Sequence, residues 1–170
     1  MEFNEIEARL LISRKLQEDE DWDIYEYIFN DIYNLQKVYP LKVYYKGFTD
    51  ATLGDHPTFE YLEAVFWALQ NDPCNFYSEE ETIFSLMNNL DFFIANNAKE
   101  WFGLIVNYML YHYKKHPFNV IINHLSKSSP ESRNLVYRVL VSNTKNSFSF
   151  DDKGRIEKEY QDIIDYCLKE

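Results

Sequence analysis

Apolar residues recur along this chain at the spacing of a helix face, in runs parted by short polar breaks, and this pattern predicts an all-α fold. Start and stop signals divide it into about seven or eight helices. The first, near residues 3–18, sets Ile6, Leu10, Leu11 and Leu16 along one side. The second, near 22–36, is the clearest. Ile24, Tyr25, Ile28, Phe29, Ile32 and Leu35 form one continuous arc, with Asp23, Glu26, Tyr27, Asn30, Asp31 and Asn34 on the other.

Residues 37–55 mix strand-like Val38, Tyr39, Val43, Tyr44, Tyr45 and Phe48 with the breakers Pro40 and Gly47. They read as a long connection holding either a short strand pair or a turn of helix. His56-Pro57-Thr58 opens a helix to about Gln70, with Leu62, Val65, Phe66 and Leu69 inward, and Asn71-Asp72-Pro73 stops it. Ser78 and Glu81 have the spacing of a capping box ahead of a helix over residues 79–95. Asn96-Asn97 turns the chain into a helix over 98–115 that is apolar almost all round, bearing Trp101, Phe102, Leu104, Ile105, Tyr108, Met109 and Tyr111; such a helix belongs at the centre. Pro117 starts the next, and Ser128-Ser129-Pro130 another through about Val141. After a loop over 143–150, Asp151-Asp152 begins a last helix with Ile156, Tyr160, Ile163, Ile164, Cys167 and Leu168 at apolar spacing. Short connections imply antiparallel hairpins, arranged as a compact bundle or a short helical-repeat-like stack.

Length and composition change this picture little. With 170 residues and 46% hydrophobic content the chain can bury a core, and a single all-helical domain over 1–170 is expected. The net charge of −11 changes it more, because it is unevenly placed. Residues 1–100 carry 20 acidic against 7 basic side chains, a net −13; residues 101–150 carry 1 against 6, a net +5; residues 151–170 carry 7 against 4, a net −3. Such a field repels nucleic acid and anionic lipid and attracts a basic protein. Neither partner class of the first kind is therefore expected. The start Met1-Glu2-Phe3-Asn4-Glu5 lacks the features of a secretory signal, and the longest apolar run, Trp101 to Tyr113, is too short and interrupted to span a bilayer, so a cytoplasmic protein is expected. Cys74 and Cys167 stand far apart with no metal-ligand spacing, which points to reduced, partly buried thiols.

Candidate chemistry is sparse. Asp19, Asp21 and Asp23 have the alternate spacing that begins a calcium loop, but Ile24 stands where that loop needs glycine and Asn30 where it needs glutamate. As acids at a helix start, Asp19 and Asp21 cap the second helix and oppose its dipole. His112 and His116 are four apart, yet Lys114 and Lys115 lie between them and no carboxylate base is present, so a metal site is not expected. Serines 126, 128 and 129 near His124 lack a nucleophile elbow and read as capping residues. No catalytic residue, metal or cofactor is expected, and nothing in the sequence fixes an oligomeric state.

What stands out is Glu18 to Tyr27, where six carboxylates and three aromatic rings share ten residues with no basic side chain. Two of the acids serve the helix start. Trp22, Asp23, Glu26, Tyr27 and Asp31 remain as an outward patch of rings among charges, the composition a protein-binding surface uses, with Glu79 and Glu80 as further acids.

The stretches Ala98-Lys99-Glu100-Trp101-Phe102-Gly103-Leu104-Ile105 and Ser129-Pro130-Glu131-Ser132-Arg133-Asn134-Leu135-Val136-Tyr137-Arg138-Val139-Leu140 resemble paired helices of all-helical immunity proteins from bacterial polymorphic toxin systems. The likeness covers roughly residues 60–145; Ser132 stands where a second tryptophan is expected, and the acidic segment has no counterpart. The resemblance implies a protein, not an enzyme, that binds and neutralises a cognate toxin domain, a basic one and among such toxins a nuclease. The alternative expectation is a helical-repeat adaptor or scaffold for another cellular partner. A small hydrolase ranks third.

Overall fold

Helices in this chain begin and end where a side chain can replace a lost backbone partner. The computed structural model describes residues 3–16, 18–35, 41–48, 60–63, 65–66, 77–113, 116–143 and 153–169, and among these there are helices and turns but no strand. The chain divides into two compact units, Met1–Ser78 and Glu79–Glu170. The sequence has no linker-like stretch at that boundary to signal it.

In the first unit, α1 (Phe3–Ser13) lies against α2 (Asp19–Leu35), α3 (Leu41–Tyr44) and a 3-10 turn (Tyr45–Phe48). Helix α1 is shorter than its apolar pattern implies. It gives way to a turn in which Leu16 is left-handed (φ 45°) and its amide donates to the Ser13 carbonyl at 3.0 Å. A leucine held there costs about 1–2 kcal/mol, and burial of its side chain offsets this. Ile6 and Leu10 are fully buried, whereas Leu11, a full 100° step around the helix from Leu10, is exposed and does not share their side.

Of the ambiguous segment 37–55, the described part is helical: α3 and the 3-10 turn take the place of a strand pair. Tyr45, Gly47 and Phe48 are buried there. Residues 60–63 and 65–66 are helical too, with Tyr61, Leu62, Val65 and Phe66 fully buried. The Tyr61 ring stands edge-on to Phe48 at 5.2 Å and so close over Gly47 that a Cβ there would overlap its hydroxyl end. Arg14 is fully buried beside it. Burial drives the Tyr61 hydroxyl pKa well up, and the Arg14 charge pulls it partly back. Leu69, Cys74 and the expected helix start at Pro57 lie outside the described residues.

The second unit contains α4 (Glu79–Asn88), α5 (Leu90–Ala95), α6 (Lys99–His112), α7 (Pro117–Lys127), α8 (Pro130–Ser142) and α9 (Lys153–Cys167). The single helix expected over 79–95 is broken at Asn89. Its side-chain amide donates to the Ser85 carbonyl at 2.7 Å while its own carbonyl accepts from Phe92 at 2.9 Å, so one residue closes α4 and opens α5. Helix α5 ends in a Schellman turn: Asn97 is left-handed (φ 55°), its amide donates to Ile94, and the Ala98 amide donates to Phe93 at 2.6 Å. Pro117 and Pro130 sit in the first turns of α7 and α8, and the Ser129 hydroxyl accepts from the Ser132 amide at 3.2 Å, the cap its sequence implies.

Helix α6 contacts α5, α7, α8 and α9 and buries Phe102, Ile105, Val106, Tyr108, Met109 and Leu110. Three side chains from other elements hold carbonyls near helix ends. The Asn143 amide donates to Lys99 and Val139, both at 3.0 Å; the Arg155 guanidinium donates to Leu110 at 3.3 Å; the Tyr160 hydroxyl donates to Leu140 at 3.2 Å. Gly103 is needed where Asn143 crosses α6, because a Cβ there would come within 2.7 Å of the Asn143 side chain. Among the described residues no helix is long and apolar enough to cross a membrane.

Candidate protein-binding surface

Helix α2 is built for one-sided burial. Its first turn holds Asp19, Glu20 and Asp21, whose charges oppose the positive N-terminal end of the dipole. The Glu18 carbonyl accepts from the Asp21 amide at 3.0 Å, so Glu18 occupies the capping position and the aspartates lie inside the first turn rather than at the cap. Tyr25 and Ile28 are buried against the first unit, and Ile24 is half-buried. Asp23, Glu26, Tyr27 and Asn30 are exposed, as the arc pattern implies.

The two outward rings do not sit side by side. At about 100° per residue, Trp22 and Tyr27 are about 140° apart around the helix axis, with Glu26 and Asp23 between them. The surface is therefore a carboxylate ridge edged on each flank by a ring, not a central aromatic plug. Trp22, 38% exposed, stands edge-on to Tyr25 with centroids 6.1 Å apart, and Tyr25 in turn stands edge-on to Tyr61 at 6.4 Å. On the other flank Tyr27, 55% exposed, lies beneath Arg9 of α1, whose Cζ is 5.1 Å from the ring centroid. The same guanidinium reaches Glu5 at 3.2 Å. Arg9 is a residue of this surface that sequence reasoning missed; the Glu5/Arg9 spacing of four was visible, but its proximity to Tyr27 depends on the α1–α2 turn.

The remaining acids divide. Asp31 belongs to α2, and its side chain lies outside the described residues. Glu79 and Glu80 belong to the second unit, in the first turn of α4, where Glu79 is half-buried and Glu80 exposed; there they oppose the dipole of that helix.

The second unit holds a half-open groove of about 620 Å³ between α4, α5, α7 and α8. Met87, Leu90, Leu135 and Val136 give it apolar lining, and Asp91 and Lys127 add charge. His124, also in its wall, lies against Phe84 with ring centroids at 5.6 Å. Burial lowers the His124 pKa and the nearby Lys127 charge lowers it further, which keeps the imidazole neutral at pH 7. The neighbouring serines are spent on backbone: Ser126 donates to Asn123 at 2.8 Å and Ser128 to the His124 carbonyl at 2.9 Å. They serve helix-end carbonyls instead of an imidazole base.

His112 is half-buried and stacked on Tyr108 with centroids 4.1 Å apart, and burial lowers its pKa; His116 is exposed and sits at the cap of α7. Among the described residues no three His, Cys, Asp or Glu side chains cluster as metal ligands. Cys167 is buried and unbridged, its thiol pushed up to about 11 by burial, which makes it unreactive near neutral pH. Comparison with known proteins brings no match among family models, curated proteins or solved structures.

Proposed function

We propose that this protein is an immunity-type inhibitor that binds and neutralises a cognate basic toxin domain through the outward face of α2. One observation carries the reading: Asp23 and Glu26 stand exposed between two exposed rings, on a helix whose residues 18–27 include six carboxylates and no base. Such a ridge steers a cationic partner and then offers rings for desolvated contact. Inhibition is steric and electrostatic, with carboxylates standing where a nuclease toxin would bind substrate phosphates. Glu79 and Glu80 are proposed as outlying acids that add to the field.

The test is a combined Asp23→Ala, Glu26→Ala and Tyr27→Ala variant. Because all three side chains are exposed, its stability should stay within about 0.5 kcal/mol of wild type. A basic host protein that is toxic when expressed alone should be neutralised by the wild-type chain, and its affinity for the variant should fall at least ~10-fold. Unchanged affinity removes α2 from the interface. A toxin partner without basic character removes the electrostatic mechanism.

The second reading is a helical adaptor. The groove of the second unit favours it, since its apolar lining and volume suit a bound peptide segment. If substitution of Leu135 and Met87 in the groove abolishes partner binding while the α2 variant does not, the adaptor reading replaces the first.

A further inference from the structure

The flank of α2 that carries Tyr27 already displays how a guanidinium is held. Arg9 stands over the Tyr27 ring at 5.1 Å and is ion-paired with Glu5 at 3.2 Å, so a π face and a carboxylate share one cation. The opposite flank carries the same two elements without the cation. Trp22 and Glu26 are four residues apart, which sets their Cβ atoms about 5–6 Å apart on the helix surface. Both are exposed, and among the described residues no basic side chain lies over the indole or pairs with Glu26. The edge-on contact with Tyr25 at 6.1 Å holds the indole against a buried residue, so the ring is set in place before any partner arrives.

We infer that Trp22 and Glu26 form an open receptor for an arginine side chain of a basic protein partner. The guanidinium stacks on the indole face and donates hydrogen bonds from its edge to the Glu26 carboxylate, in the arrangement that Arg9 adopts with Tyr27 and Glu5. Tryptophan is the strongest of the cation-binding rings. Arginine fits better than lysine because its planar, weakly hydrated head stacks and forks at the same time, whereas an ammonium is a compact, strongly hydrated point charge. The net −13 on residues 1–100 excludes a phosphate-bearing partner and favours a cationic one. This inference rests on the binding role proposed for α2 and names the chemistry that role would read.

Two synthetic peptides of equal length and charge, one with arginines spaced by glycine and serine and one with lysines in their place, test it against the full chain at low salt. The arginine peptide should bind about two- to five-fold more tightly and shift the Trp22 indole N–H resonance, assigned by its loss in a W22F protein. Trp22→Leu keeps apolar bulk over Tyr25 and removes the π face; it should bring the arginine peptide down to the affinity of the lysine peptide. Glu26→Gln should weaken both, the arginine peptide more. Equal affinities for wild type, or an arginine preference that survives Trp22→Leu, overturn the receptor and leave the acidic ridge standing. If neither peptide binds, the role of the ridge in binding falls with it.

Discussion

The two units bury polar groups by different means. In the first, a whole charge goes inside: Arg14 is fully buried beside Tyr61, within a series of edge-on rings that runs from exposed Trp22 through Tyr25 and Tyr61 to Phe48. In the second, buried polarity is mostly backbone at helix ends, and neutral or charged side chains are sent across to it: Asn143 to Lys99, Arg155 to Leu110, Tyr160 to Leu140. The first arrangement makes the core depend on ring placement, and the candidate surface on α2 is its outer edge. The second depends on hydrogen bonds between distant parts of the chain and leaves a groove between helices. A surface tied to a ring stack is rigid where Trp22 contacts it, which suits recognition by a preset side chain.

The most damaging way to break this contrast is to add one methyl to the ring stack. Gly47→Ala should destabilise the first unit by about 3 kcal/mol, the upper end for overpacking a core, because the new Cβ overlaps the fully buried Tyr61. Chemical denaturation followed by amide exchange resolved to α1 and α2 checks it. Protection in α6 should persist at denaturant concentrations where α1 has lost it; loss of both together would mean the ring stack is not local to the first unit.

The counterpart in the second unit is Gly103→Ala, expected to cost about 1–3 kcal/mol. Asn143→Ala should cost about as much, since it removes the donors to Lys99 and Val139. The double variant sharpens the comparison. The Cβ added at Gly103 lies 2.7 Å from the Asn143 Cβ as well as from its amide nitrogen, so truncation to alanine leaves the clash in place. Stability should therefore fall further in the double variant than in either single one. Rescue would show that the amide alone, not the close helix approach, dictates glycine.

These positions also mark what the sequence could tell. Helix starts with a local mechanism were legible: Pro117, Ser129-Pro130 and the Asn96-Asn97 turn all act through neighbours within a few residues. The outward arc of α2 was legible too, since it follows from the helical period, and so in principle was the separation of Trp22 from Tyr27. The left-handed Leu16, the break at Asn89 and the notch at Gly103 were not. Each is decided by tertiary partners: Leu16 turns because its side chain is buried, and Asn143 reaches Lys99 across 44 residues of sequence. Arg9 over Tyr27 belongs with them, because a surface arginine in sequence carries no sign of the ring it will cover.

The smallest expected effect separates the units by pH. Among the described residues the first unit has no histidine, while the second has His112 and His124, both half-buried with pKa values lowered by burial, and His124 lowered again by Lys127. A histidine whose folded pKa lies below its unfolded value near 6.5 binds its proton first in the unfolded chain. Stability from each is thus complete above about pH 6.5 and lost as pH falls through the folded value. The groups facing these rings, Tyr108 and Tyr111 around His112 and Phe84 and Lys127 around His124, offer no carboxylate to hold the imidazolium. Between pH 7 and pH 5.5, then, exchange protection in α7, corrected for intrinsic rates, should decline while that in α1 holds. Combined His112→Gln and His124→Gln substitution should flatten the decline. If α1 and α7 lose protection in parallel, the acid response belongs to the chain's carboxylates and not to the aromatic packing of these two rings.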